Sequence, residues 1–453
     1  MLDLDRELQG LVARPARAPE PIGAIQRRAQ RRRRRRRLAL AVVAVLTALV
    51  VASASAVLSR AGGHPNVAVS TNPPDPLAGL TPGWHVLGAI PPAALSPDQA
   101  VWTGQRLIIW HAGTNSMVDF DPVTGQHQRV AASPLRPRAN VVMAWTGREV
   151  LVWGGYPAPP GQPFYENGDD LSGAGAATPF VDGAAYNPST QKWRRLPSAP
   201  ITPRLALGAV WTGKEFIVSG GPPRTQGRSQ TPKQVATDGA AYNPTTNTWR
   251  HIPAAPISVT EGVVRWSGHE MLVFGSLRTD FPNSCRIDTT GATPPCTITD
   301  ANGALYDPAT NQWRKLPTST VPGVGPTAAF ADQEILATAG VLNPQRYPLN
   351  SSSWQDATGL HATPQEACYT TLTGGGNLAL LSNCGNSYAI FNPTTNTWAN
   401  IANPPVPFDQ QPWGDPLWTG HAFLYWHTNP WLPGTAAVND PTQKDLNVWA
   451  YVP

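Results

Sequence analysis

Charge is what this chain has least of: Asp, Glu, Lys and Arg make up 14% of 453 residues. That scarcity speaks against long solvated helices and against a disordered, highly charged chain. Cysteine is limited to four residues, with no Cys-x-x-Cys spacing, so no zinc site is indicated. No Gly-x-Ser-x-Gly, His-Glu-x-x-His or P-loop signature occurs, which removes the motif-based case for a hydrolase, a zinc protease or a nucleotide enzyme. What is plentiful is Pro (49), Gly (40) and Trp (17). Together these favour turn-rich β structure with aromatic packing.

The formal charge of +5 is unevenly spread. Residues 1–37 hold 12 of the 34 Lys and Arg and 4 of the 29 Asp and Glu, so the other 416 residues are net acidic by three. The body thus lacks the basic footprint of a nucleic-acid partner. Seven arginines, Arg31–Arg37, run into the uncharged stretch Leu38–Leu58, LALAVVAVLTALVVASASAVL, which is long enough to span a bilayer as a helix. Arginines on its N-terminal side are expected to stay in the cytoplasm, which places the rest of the chain outside. The expected order is a basic cytoplasmic tail (1–37), a transmembrane helix (38–58), a Pro-rich linker (59–82) and a folded body (83–453). The alternative is secretion after cleavage of a signal peptide, with Leu38–Val51 as apolar core and ASASA as cleavage site. In an exported body the even cysteine count favours two local disulfides, Cys285 with Cys296 and Cys368 with Cys384.

Two elements repeat. The first is VWTGQRLIIW (101–110), seen again at 144–153, 210–219, 265–274 and 417–426, with weaker copies at 329–338 and 371–380. Each reads as strand, tight turn, strand, with Gly104, Gly147, Gly213, Gly268, Gly374, Gly420 or Asp332 at the turn. The second includes AAYNPSTQKW (184–193), AAYNPTTNTW (240–249), ALYDPATNQW (304–313) and AIFNPTTNTW (389–398). Its Asn-Pro or Asp-Pro starts a turn, and a residue suited to positive φ closes it: Gly125, Gln191, Asn247, Asn311 or Asn396. Two hairpins make a four-stranded unit, and seven copies imply seven small sheets that bury their faces only by stacking. GWHVLGAIP (83–91) reads as an outer strand able to complete the last unit, next to LNVWAYVP (446–453). A ring of six units, with 341–367 as an insertion, is the alternative.

The diglycines Gly154–Gly155 and Gly220–Gly221, followed by the Tyr and then the Trp of each unit, resemble the kelch repeat of kelch-type propellers and of the central domain of galactose oxidase-like proteins. The resemblance covers about residues 84–453 and implies an all-β, kelch-like β-propeller of seven four-stranded blades. Copper chemistry of the galactose oxidase kind would need two His and two Tyr, one Tyr cross-linked to a Cys. The nine His are scattered and the four Cys have plausible partners, so neither cofactor nor metal is indicated.

Variable connections between second and third strands, at about 156–181, 222–238 and 276–302, are expected on one face, which is where binding belongs. Candidate ligand residues are Arg138 and Arg204, each seven positions before the aromatic of its unit, and the acidic loop residues Glu166, Asp169 and Asp170. A salt bridge within the scaffold is the competing role for the arginines, and a solvated loop for the acids. Trp193, Trp249, Trp313 and Trp398 are expected to pack between blades rather than stack on sugars. The tail helix signal LDRELQGLVA (4–13) resembles the inner segments of some membrane-bound actinobacterial regulators. The expected function is membrane-anchored binding of an extracellular protein or glycan, with an envelope sensor as one form of that role. A secreted or surface carbohydrate-active enzyme, sialic acid isomerase-like or galactose oxidase-like, is the alternative.

Overall fold

A computed structural model describes residues 75–453 apart from 91–98, 112–114, 158–177, 205–206, 222–235, 278–300, 322–325, 340–341, 358, 361–369, 384–387, 407–414 and 427–445. The chain divides into two compact units, Met1–Pro73 and Pro74–Pro453, and all described residues belong to the second. That unit begins inside the stretch read as linker, and Leu77, 1% exposed, packs among core residues of the first and last blades.

Both repeated turns owe their shape to side chains that bond their own backbone. In the first hairpin the hydroxyl of Thr146 accepts the N–H of Glu149 at 2.9 Å, and Thr212 and Ser267 do the same for Glu215 and Glu270. The first central residue of each of these turns has positive φ: Gly104, Gly147, Gly213, Gly268, Asp332, Gly376 and Gly420. In the second hairpin Asn187, Asn243, Asp307 and Asn392 each accept the N–H two residues on. The closing residues Gly125, Gln191, Asn247, Asn311 and Asn396 all lie at φ between 52° and 68°. The sixth unit departs from expectation, because its turn sits at Gly376 rather than Gly374. Gly374 occupies the aromatic position of that blade, where a Cβ would run into the Phe330 carbonyl oxygen of the blade before.

These hairpins build seven antiparallel four-stranded sheets. Blade 2 shows the plan: inner strand Val142–Trp145, then Val150–Trp153, Gly183–Asn187 and the outer strand Lys192–Leu196. The inner strands of the others are Ala100–Trp102, Gly208–Trp211, Glu261–Trp266, Pro326–Ala331, Thr370–Gly375 and Leu417–Trp418 for blades 1 and 3 to 7. Each inner strand lies beside those of the neighbouring blades, and the last lies beside the first, so the ring is closed. Blade 7 takes its outer strand, Gly83–Ile90, from the opposite end of the folded body, paired antiparallel with Leu446–Val452. The six-bladed alternative fails at the fifth unit: Leu342–Pro348 and Gln355–Asp356 are strands of blade 5, not an insertion.

The Tyr and Trp of the second repeat are cross-strand partners. Tyr186–Trp193, Tyr242–Trp249, Tyr306–Trp313 and Phe391–Trp398 stack with ring centroids 5.1–5.2 Å apart. The degenerate fifth blade keeps the pair as Tyr347–Trp354 at 5.3 Å, and the closing blade as Tyr451–Trp84 at 5.0 Å. The indole N–H then reaches the previous blade: Trp193 donates to the Ala131 carbonyl, Trp249 to Pro197, Trp313 to Pro253, Trp354 to Pro317 and Trp84 to Ala402, all at 2.8–2.9 Å. At the seam of blades 7 and 1, His127 stands in the Trp position and its Nδ1 lies 3.0 Å from the Ala89 carbonyl.

Two measurements test this account. Trp249→Ala should lower stability by about 3 kcal/mol, the low end for a large aromatic, since Trp249 is only half-buried. Trp249→Phe, which keeps an aromatic face but loses the pyrrole ring and its N–H bond, should cost about 1–2 kcal/mol by denaturant titration. Asp307 has its pKa held below 3.8 by a bond from the Thr310 hydroxyl, then by the Ala309 N–H, against slight desolvation. A depressed folded pKa gives stability that is complete above the unfolded value and is lost as pH falls through the folded one. Asp307→Asn, the residue used at Asn187 and Asn243, should leave the melting temperature at pH 7 unchanged and flatten its decline below about pH 4.

Candidate functional site

Alternation of strand direction sends the two kinds of connection to opposite ends of the ring. The tight turns between first and second strands share one face. The connections between second and third strands leave from the other, and they vary widely: 112–115, 340–341 and 384–387 are short, while 154–182, 220–238, 277–301 and 426–445 are long. The last of these, in blade 7, escapes the repeat pattern because its third strand, Leu446–Val452, lacks the Asn-Pro motif. Rigid strands thus carry long, unlike loops on one face, an arrangement suited to recognition.

Arg138 and Arg204 sit at the root of that face, each ahead of its inner strand. Arg138 is fully buried: Nε donates to the Arg136 carbonyl, and Nη1 to Gly154 O at 3.0 Å and to Asp182 Oδ1 at 2.9 Å. Its guanidinium lies 4.1 Å over the Phe180 ring, and its Nη2 has no acceptor. Burial pulls its pKa below the ordinary arginine value, while the bond it donates to Asp182 opposes the shift. Arg204, 1% exposed, repeats the arrangement in blade 3, with Asp238 Oδ1 at 2.5 Å, Asp238 Oδ2 at 3.2 Å and Thr202 Oγ1 at 2.6 Å. Each arginine therefore ties the approach to the first strand to the start of the third within one blade, and Arg138, through Gly154 and Asp182, also holds the two roots of its long loop together. A short two-stranded pairing of Arg138–Ala139 with Tyr156–Pro157 adds to this at blade 2.

The opposite face carries its own charged clamps. Arg194 meets both carboxylate oxygens of Glu149, at 3.0 and 2.6 Å, and reaches Tyr242 Oη of the next blade at 2.8 Å. Arg250 does the same with Glu215, at 2.8 and 2.7 Å, and Tyr306. The carboxylate bonds hold both guanidinium pKa values above the ordinary one. The bidentate pair fixes each guanidinium within its own blade, and its bond to the tyrosine of the next blade makes it a joint between the two.

The axis is different again. Inner strands are hydrogen-bonded on one side only, so their unpaired backbone edges face the central space. Among the described residues one ion pair spans it: Arg265 of blade 4, Nη2, lies 3.3 Å from Asp415 Oδ2, two residues ahead of the inner strand of blade 7. Blades 4 and 7 are not neighbours in the ring, so this contact crosses the axis. Sequence reasoning passed over it because Arg265 was read as one letter of a repeat. The signal was present, since aligned inner strands carry Val101, Ala144, Val210, Ala329, Thr373 and Leu417 at that position.

Glu166, Asp169, Asp170 and the four cysteines Cys285, Cys296, Cys368 and Cys384 lie outside the described residues, as does the apolar run 38–58. Among the described residues no helix is long and apolar enough to cross a membrane, and no group of His, Cys, Asp or Glu gathers as a metal site. No known protein family matches the chain, and no curated protein matches it. Among solved structures it is similar to that of YjhT, with 14% identity and a TM-score of 0.48, over 70% of this chain and 100% of that one.

The buried arginines can be tested directly. Arg204→Met keeps volume but leaves Asp238 and the Asp238 carbonyl without their donor, and should cost about 2–4 kcal/mol in a denaturant titration. The value should be matched by Asp238→Ala within about 1 kcal/mol, with no additivity in the double variant.

Proposed function

We propose that this protein is a membrane-anchored, extracytoplasmic binding propeller of the kelch type, which recognises a protein or glycan through its loop face. The observation that carries this reading is the segregation of long connections, 154–182, 220–238, 277–301 and 426–445, to one face of an otherwise uniform ring. Uniform turns on one side and unlike loops on the other is how a scaffold separates stability from recognition. The anchor reading is supported by the arginine run followed by 21 uncharged residues. The enzymatic alternative, a carbohydrate-active propeller, is supported by the unpaired Nη2 of Arg138 below the loop face.

Expected outcomes follow from each part. The full chain should stay in the membrane fraction after carbonate extraction; soluble protein in the medium with a mature start near residue 57 would sink the anchor. Replacing 222–235 with a Gly-Ser segment of equal length should abolish retention of the ligand on a glycan or surface-protein array while leaving the melting temperature within about 3 °C. Turnover of free sugars or sialic acids, lost in Arg138→Lys, would transfer the case to the enzymatic reading.

A further inference from the structure

We propose that the axial channel is an anion-binding site, in which Arg265 anchors a carboxylate or phosphate group of a small ligand and Asp415 is the internal group that competes for it. The proposal does not rest on the loop-face reading, because it concerns the inner strands alone.

The argument begins with the register. Seven inner strands place equivalent residues around the axis, and at the position before the aromatic six of them carry Val101, Ala144, Val210, Ala329, Thr373 and Leu417. Four of these are buried and apolar: Val101 6%, Ala144 6%, Val210 5% and Ala329 0% exposed. Arg265 is the only charged residue in the set. Its neighbours on the strand follow the repeat, since Val264 and Trp266 pack toward blade 3 and Val263 toward blade 5. A local break in an otherwise consistent pattern marks a position held for something other than the fold.

Stability does not account for the break. The Arg265 and Asp415 side chains are 27% and 53% exposed, and at 3.3 Å the contact is a single hydrogen bond rather than a two-point clamp. Exposed one-point pairs of this kind add little to folding. The protein makes the other kind where it braces single blades, as in the two-point pairs Arg194–Glu149 of blade 2 and Arg250–Glu215 of blade 3. Among the described residues Arg265 has one further bond, a long one from Nη1 to the Val264 carbonyl at 3.4 Å. Most of its five N–H donors are therefore available to a second acceptor.

The surroundings suit a small polar ligand. Unpaired N–H and C=O groups of the inner strands face the axis. An anion entering the channel meets a guanidinium already aimed across it, and displaces a carboxylate that returns to solvent at little cost. Planar carboxylates and tetrahedral phosphates both suit the guanidinium fork.

The test is isothermal titration of the full chain with potassium glucuronate, with inorganic phosphate and with glucose as the neutral control. At least one anion should bind saturably and glucose should not; the stronger of the two identifies a sugar acid or a phosphorylated compound as the ligand type. Arg265→Gln should weaken that binding on the order of tenfold or more. Asp415→Asn should strengthen it about two- to fivefold, the reciprocal of a weak exposed pair, and this variant decides the matter if Arg265→Gln does not fold. Absence of anion binding, equal binding by Arg265→Gln, equal binding of glucose, or weaker binding by Asp415→Asn would each overturn the proposal.

Discussion

A small antiparallel sheet with two apolar faces has nowhere to stand by itself. Stacking seven of them covers every face except the first and the last, and only a closed ring covers those. Everything else in this protein depends on that closure, which is made by pairing Gly83–Ile90 with Leu446–Val452. The closing blade is aromatic to match: Trp84 lies 5.0 Å from both Tyr388 and Tyr451 and 6.4 Å from Trp449. Those rings bring the seventh blade against the sixth, and burial lifts the Tyr388 and Tyr425 hydroxyls well above the ordinary tyrosine pKa. The seam is therefore sealed by apolar area and backbone pairing rather than by charge.

Around the circumference a second device repeats. In blades 2 to 5 and 7 an indole N–H of the outer strand reports to the carbonyl that follows the outer strand of the preceding blade, as Trp249 does to Pro197 and Trp313 to Pro253. Geometry of this kind fixes the angle between blades as well as their contact. The Arg194 and Arg250 clamps add a third tie, each reaching from one blade to the tyrosine of the next. With inner strands, outer indoles and these clamps all in register, the ring is stiff enough to leave the loops of one face unconstrained in sequence.

The scaffold was readable from the sequence because its chemistry is local. Asn243 bonds its own turn, Asn247 supplies a positive φ, and Tyr242 and Trp249 face each other across one hairpin; each fact involves residues close in the chain. Where locality ends, legibility ends too. The fifth blade looked broken because Tyr347 and Trp354 keep their contact without the usual turn residues between them. The sixth misplaced its turn by two residues because three consecutive glycines, Gly374–Gly376, offered no way to choose. Arg138 and Arg204 were visible as a pattern, but their partners Asp182 and Asp238 lie beyond variable loops and were not. The Arg265–Asp415 contact joins residues whose proximity exists only once the ring is shut.

The borrowed strand also sets an order of events. Gly83–Ile90 emerges before any blade can form, yet its partner Leu446–Val452 is made after six blades are complete. Throughout that interval the strand presents an unpaired backbone edge, with Trp84 and Val86 beside it and Gly88 unable to discourage strand addition. Contacts of such long sequence separation are the slowest to form and the most open to capture by another chain. The pairing that makes the propeller permanent is thus preceded by the period of its greatest exposure to aggregation.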